Sequence, residues 1–255
     1  MNTNTRNTTT SNTEELVSYD YHKSIDIPLG LGGIGKLNLY TGKLTVQPQY
    51  KGFENGVLPI YATDLTVDSR FKKIADSWNL PFYQTMSDYN HTSGTYDYYR
   101  TDAIGQKHYY TLQDDDISSG THSASDGEYF YYNIYTSDLV VDWLTDRSGN
   151  TYNFETDGTL ASMTDRNGRM FDISDTTVSV LGKTYTYTVT GDTITGITYN
   201  GKTIILSKNT NNELATITYP DGTTAAYEYT SGYLSKVTDS LGNIIEIGYD
   251  GNRVN

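Results

Sequence analysis

Residues 214–229 read Leu214-Ala-Thr-Ile217-Thr218-Tyr219-Pro220-Asp221-Gly222-Thr-Thr-Ala-Ala-Tyr227-Glu228-Tyr229. Ile217 and Tyr219 stand two apart, as do Tyr227 and Tyr229, so each pair points to one side of a pleated strand. Between the pairs lies turn chemistry. Pro presets φ, the Asp carboxylate bonds nearby backbone, and Gly accepts positive φ. The stretch is strand, tight turn, strand.

The same grammar recurs along the chain. Thr-Asp-x-x-Gly occurs at Thr101-Asp102 to Gly105, Thr145-Asp146 to Gly149, Thr164-Asp165 to Gly168, and Thr238-Asp239 to Gly242. In a type I turn the first-position Asp accepts a bond from the backbone two residues on, and the fourth position favours Gly. Leu160, Met163, Phe171 and Ile173 flank one copy, and Leu234, Val237, Ile245 and Ile247 another. Degenerate copies center on Gly201, between Ile197 and Ile204, and on Gly182, between Val180 and Tyr185. The turn positions are thus Asp102, Gly105, Asp146, Gly149, Asp165, Gly168, Gly182, Gly201, Asp221, Gly222, Asp239 and Gly242. From Gly149 onward the turn glycines are 19, 14, 19, 21 and 20 residues apart, one hairpin per interval. A lone hairpin buries too little apolar surface to offset the entropy of ordering its chain. Neighbours must share a core, and the fold class is all-β with repeated antiparallel hairpins.

Composition bounds the function. The chain has 255 residues, 25 of them Tyr and 23 Gly, with only five Pro. Tyr suits strands exposed on one face, its ring covering apolar neighbours while the hydroxyl stays wet. A net charge of −13 opposes nucleic acid and anionic membranes by repulsion. Without cysteine, disulfides, thiolate metal sites and a Cys nucleophile are excluded. No apolar run reaches transmembrane length, so no membrane insertion is expected, and the N-terminus carries no hydrophobic signal core.

Three regions are expected: a disordered Asn/Thr-rich tail over 1–13, a β-rich region over 14–140, and the regular hairpin repeats over 141–255. In the middle region, Leu37 to Val46 alternate about Gly42 as a hairpin, and Tyr96 to Tyr110 form another around Asp102 and Gly105. Phe71, Ile74, Ala75 and Trp78 have helical spacing for two turns, with a packed loop anchored by Trp78 as the equal alternative. Residues 113–127 read as an exposed polar loop and 129–135 as a strand.

The candidate chemical motifs are weak. Gly30-Leu-Gly32-Gly33-Ile-Gly35 satisfies the dinucleotide fingerprint G-x-G-x-x-G, but Leu37, Leu39, Leu44 and Val46 after it have period two where a helix is required. A flexible glycine connector is the reading. Asp114-Asp115-Asp116 lacks calcium-loop spacing. His22, His91, His108 and His122 show no metal-ligand spacing. Paired aspartates suit glycoside hydrolysis, yet Asp146, Asp165, Asp221 and Asp239 recur once per turn, whereas a catalytic pair occurs once. No catalytic, metal or cofactor residue is assigned, and no cofactor is expected.

Thr-Asp-Arg-Asn-Gly-Arg (164–169), Leu-Ala-Thr-Ile-Thr-Tyr-Pro-Asp-Gly (214–222) and Val-Thr-Asp-Ser-Leu-Gly-Asn (237–243) resemble bacterial Rhs/YD-repeat proteins. Upstream, Leu39-Tyr-Thr-Gly42-Lys-Leu44, the segment from Leu58 to Trp78, and Tyr99 to Tyr110 are similar to the region before the repeats in secreted, wall-associated members. The resemblance spans residues 37–255. It implies hairpin strips that spiral into a hollow shell, often enclosing a variable C-terminal toxin. The Asp-Pro-x-Gly-Leu self-cleavage motif of complete members is absent, since Ile27 separates Asp26 from Pro28. The expectation is a non-enzymatic structural module, the N-terminal portion of such a shell, secreted or at the surface of a bacterium. Its partners would be the rest of the shell and the enclosed cargo. The alternative is a cell-surface adhesin that binds glycan or protein through a Tyr-rich sheet.

Overall fold

A computed structural model describes residues 24–30, 33–39, 41–92, 95–112, 119–125, 131–137, 140–146 and 148–255. Five short strands, β1 (Ser24–Pro28), β2 (Ile34–Asn38), β3 (Leu44–Gln47), β4 (Ile60–Ala62) and β5 (Trp78–Asn79), pair antiparallel in sequence order as a small sheet. A large antiparallel sheet follows. It starts with β6 (Thr85–Thr92), β7 (Thr95–Thr101), β8 (Lys107–Leu112), β9 (Ser119–Ser125) and β10 (Tyr131–Ser137). It runs on through β11 (Val140–Thr145), β12 (Thr151–Phe154), β13 (Leu160–Thr164), β14 (Met170–Ile173), β15 (Thr177–Val180) and β16 (Lys183–Thr190). The last members are β17 (Thr193–Tyr199), β18 (Lys202–Lys208), β19 (Leu214–Thr218), β20 (Thr224–Thr230), β21 (Tyr233–Asp239) and β22 (Ile244–Glu246). A final hairpin, β23 (Tyr249–Asp250) and β24 (Arg253–Val254), returns to the small sheet, where Val254 N–H donates to Gly42 O at 2.8 Å. Among the described residues no α-helix occurs, and a 3-10 turn spans Asn55–Val57.

The large sheet is closed, and its first strand also meets the start of β13. There Thr85 lies opposite Thr159, Met86 N–H donates to Gly158 O at 2.7 Å, and Leu160 N–H donates to Gln84 O at 3.0 Å. Curvature comes from bulges that recur on one side of the hairpins. In five strand pairs from β10 onward the register slips by one residue, leaving Asp142, Ala161, Thr195, Ala215 and Ser235 unpaired. An extra residue bends its strand and increases the local twist. The bulge also explains a spacing that departs from period two. Val141/Leu144, Leu160/Met163, Ile194/Ile197, Leu214/Ile217 and Leu234/Val237 stand three apart, and every one of these side chains is buried on the same face.

That concave face is filled by the chain's own N-terminal third. One continuous apolar core joins Leu44, Val46, Phe53, Leu58, Tyr61, Ile74 and Trp78 to Tyr185, Ile197, Ile204, Ile217, Tyr227 and Val237. The convex face is polar, with Thr184, Thr186, Thr188, Thr203 and Ser207 exposed. The change of grammar near residue 141 falls between β10 and β11, which pair within this one sheet.

Several local expectations need correction. Phe71 to Trp78 form no helix, because their backbone groups are spent on distant turns: Lys73 N–H donates to Asp192 O (2.9 Å) and Asp76 N–H to Asn212 O (3.1 Å). Trp78 is fully buried and anchors the packed loop. Within the stretch read as a polar loop, Ser119–Ser125 is strand β9, paired with β10 over seven positions. Small polar residues are carried there by the ladder rather than by propensity. Within the glycine segment, whose Leu31 and Gly32 lie outside the described residues, Gly33 is tightly placed. It has φ +112°, and a Cβ on it would lie 2.1 Å from Gln47 O, so no larger residue fits against the Gln47 backbone. The tail over 1–13, His22 and Asp114–Asp116 lie outside the described residues.

Candidate functional site

The four Thr-Asp-x-x-Gly copies fold identically. In each, the Gly N–H donates to the Asp carbonyl, and the Asp N–H donates to the carbonyl four residues on, at 2.9–3.0 Å. This is a three-residue hairpin loop with Gly at positive φ, from +79° to +85° at Gly105, Gly149, Gly168 and Gly242. The carboxylate Oδ1 accepts two backbone N–H groups. The donors are Ile104 and Gln106 to Asp102, Ser148 and Asn150 to Asp146, Asn167 and Arg169 to Asp165, and Leu241 and Asn243 to Asp239, all at 2.9–3.0 Å. Oδ2 is committed as well: to His108 Nε2 (2.9 Å), to Asn150 Nδ2 and the Tyr152 hydroxyl (3.1 Å each), to Arg169 Nε (2.6 Å) and to Asn243 Nδ2 (2.9 Å) respectively. All four aspartates are buried. A general acid or base must turn an oxygen toward substrate, whereas these serve the turns.

The other turn positions differ among themselves. Asp221 stands third rather than first in its turn, whose first position is Tyr219, and it accepts the N–H and hydroxyl of Thr223 at 3.0 and 2.6 Å. Glu155-Thr-Asp157-Gly158 repeats that arrangement, with Thr159 as donor. Gly182 and Gly201 close two-residue turns after Leu181 (φ 51°) and Asn200 (φ 49°), the pattern of type I′ turns. A further copy escapes a search for Asp and Gly. Asn209 accepts the N–H groups of Asn211 and Glu213 at 3.0 Å, and Asn212 takes the glycine position at φ 66°. Its signal was present, since Asn offers the same acceptor and tolerates the left-handed region.

Beside the first two Asp turns lies a buried charge network. Arg100, 2% exposed, donates Nη1 to Gln84 Oε1 (2.5 Å) and stacks over the Tyr152 ring at 4.5 Å, with Tyr110 Oη 3.4 Å from Nε. Burial alone would depress its pKa, but the neighbouring Tyr110, Tyr152 and Asp102 outweigh it and raise the value. Burial raises the Tyr152 phenol, against the pull of Arg100.

Tyrosines line the concave face, and the hydroxyls of Tyr61, Tyr185, Tyr187, Tyr229 and Tyr249 are bonded inside the protein rather than left wet. Phe53 packs between Tyr185 (5.7 Å) and Tyr199 (6.2 Å), Tyr50 stacks on Tyr219 (4.9 Å, 7°), and Trp78 meets Tyr227 edge-on at 5.0 Å. The Tyr187 hydroxyl donates to Val57 O (3.1 Å), Trp78 Nε1 donates to the Tyr229 hydroxyl (2.7 Å), and Leu234 N–H donates to the Tyr61 hydroxyl (3.1 Å). An irregular segment packed against a sheet carries backbone groups that no ladder satisfies, and a phenol supplies both an apolar ring and a partner for them.

The N-terminal segment also clasps successive hairpin ends. Arg70 Nη1 donates to Asp157 O, Ile194 N–H donates to Lys73 O (2.7 Å), Asn212 Nδ2 donates to Asp76 Oδ1 (3.1 Å), and the Tyr233 hydroxyl donates to Asp64 (3.2 Å). Two cavities border it. One of about 350 Å3 lies between the small sheet and the 102–106 turn, near Lys36, Lys43 and Asp64. The other, about 830 Å3, lies between Arg70–Lys72 and the ends of β12–β14. No cluster of His, Asp and Glu among the described residues could hold a metal ion. His91 and His122 belong to β6 and β9, and His108 is the partner of Asp102. No family profile and no curated protein matches this chain.

Proposed function

We propose that this chain is a non-enzymatic structural module, the N-terminal portion of a YD-repeat shell that encloses or displays a C-terminal effector outside a bacterial cell. One observation carries the reading. Residues 50–82 fill the concave face of the hairpin sheet and tie themselves to one hairpin end after another. A sheet begun in this way has a packed, sealed end and a curvature set by recurring bulges, which suits the start of an enclosing wall. The commitment of Asp102, Asp146, Asp165 and Asp239 to turns supports a scaffold over a hydrolase. The rival reading, an adhesin acting through its Tyr-rich sheet, is disfavoured where Tyr185, Tyr187, Tyr219 and Tyr227 are buried in the core shared with the N-terminal segment, although Tyr109 stays exposed.

The test is co-expression of residues 1–255 with the polypeptide encoded directly after Asn255, followed by limited proteolysis. Association, together with protection of that polypeptide, is expected. A gene encoding no such polypeptide, or one digested equally fast with and without residues 1–255, refutes the proposal.

A further inference from the structure

The cleft of about 830 Å3 beside Arg70–Lys72 falls within the size range of small-ligand sites. Phe71 stands half-buried on its wall and stacks face to face on the buried Tyr83, with ring centroids 4.3 Å apart and planes at 8°. The stack fixes the Phe71 ring in place. Glu155 and Asp175 also line the cleft; both are exposed, and neither side chain accepts a hydrogen bond from a described residue. Asp175 lies close enough to Tyr83 to add to the rise in phenol pKa that burial causes.

Charge narrows the ligand class. Arg70 and Lys72 flank the aromatic wall, Arg70 bonded to Asp68 and Lys72 to Asp192, so both cations already have their counter-charges there. An anion meets Glu155, Asp157 and Asp175 in a chain of net charge −13. The aromatic wall and the two unpaired acceptors fit a molecule with an apolar face and many hydroxyl donors, and a neutral one adds no charge to this paired arrangement. We propose that this cleft binds a neutral oligosaccharide, the C–H face of one sugar ring lying on Phe71 and its hydroxyls donating to Glu155 and Asp175. The electron-rich ring face attracts polarised C–H groups, and carboxylates accept hydroxyl bonds more strongly than neutral acceptors do. The site does not depend on the scaffold reading and would stand or fall without it.

The experiment is calorimetric titration of the full chain with neutral gluco-, manno-, galacto- and N-acetylglucosamine tetraoses, with tetragalacturonate and tetraglucosamine as charged counterparts. One neutral tetraose is expected to bind at one site per chain, and Phe71→Ala to weaken it about ten-fold or more, as for a truncated aromatic anchor. Glu155→Gln and Asp175→Asn, both at exposed positions, should each weaken binding several-fold with an unchanged melting temperature. Should Phe71→Ala loosen the fold, Phe71→Leu keeps the apolar contact with Tyr83 and must show the same loss. The proposal is overturned if no neutral tetraose binds at up to about 10 mM, the weak limit for a specific site. Tighter binding of a charged counterpart, or binding untouched by these substitutions, overturns it equally.

Discussion

Replacing Asp165 by Ala should cost more than disturbing the glycine of the same turn. Asp165 Oδ1 holds the N–H groups of Asn167 and Arg169, both at 2.9 Å, and Oδ2 holds Arg169 Nε at 2.6 Å. The side chain is fully buried. Alanine strands two backbone donors and an arginine at once, a loss of about 2–4 kcal/mol. Asp165→Asn keeps the Oδ1 acceptor and gives up only the ion pair, at about 1 kcal/mol. Gly168 has φ +79°, and a Cβ there meets nothing within 4 Å. Gly168→Ala therefore pays only for backbone conformation, about 1–2 kcal/mol. Urea melts at neutral pH give the ranking. Acid adds a second check. Burial works to raise the Asp165 pKa, but the Arg169 N–H and guanidinium and the Asn167 N–H outweigh it and hold the value below the ordinary range. A carboxylate depressed in the folded state contributes fully above its unfolded pKa, about 3.9, and loses that contribution as pH falls through the folded value. The gap between wild type and Asp165→Ala should thus narrow below about pH 4. A Gly168→Ala variant less stable than Asp165→Ala, or a gap that stays constant into acid, would refute the turn account.

Leu181 sits at φ 51° with its side chain 58% exposed, so Leu181→Asn should stabilise by about 1 kcal/mol, visible as a higher melting temperature; a lower one would contradict the type I′ assignment. Trp78→Phe and Tyr229→Phe each break the 2.7 Å bond that ties the N-terminal segment to the repeats, and a double-mutant cycle should return a coupling of about 1 kcal/mol. Zero coupling would mean that the two parts do not dock as described. In alkali, burial holds the Tyr187 and Tyr227 phenols well above their ordinary pKa. Their contribution to stability is complete below the unfolded value near pH 10 and is lost as pH rises above it. Their tyrosinate absorbance should therefore appear together with loss of the β circular-dichroism signal, and titration ahead of unfolding would count against burial.

Much of the hairpin series was legible because its causes are local. Ile217 and Tyr219 declare a strand by spacing, and Asp165 and Gly168 declare a turn by what a carboxylate and a missing Cβ do within four residues. The bulges were written there too, in spacings of three such as Leu214/Ile217 and Leu234/Val237, although period-two expectations pass over them. Asn209 and Asn212 hid a turn because they perform the roles of Asp and Gly under other names. The candidate cleft was not legible, since Phe71 and Tyr83 lie twelve residues from each other and far from Glu155 and Asp175 in the chain.

By itself the sequence determined the strands, the turns and the acidic surface, all of which depend on backbone preference and side-chain period over a few residues. Only the tertiary structure decided that Tyr185, Tyr187, Tyr219 and Tyr227 face inward, that Arg100 is buried among Gln84, Tyr110 and Tyr152, and that the N-terminal segment fills the concave face. The contacts responsible join residues far apart: Glu54 to Tyr185 across 131 positions, and Trp78 to Tyr229 across 151. Alternation tells which residues share a face of a strand, but not which face is covered or by what. That choice belongs to whichever packing removes the most apolar surface from water while leaving the irregular backbone of residues 50–82 with hydrogen-bond partners.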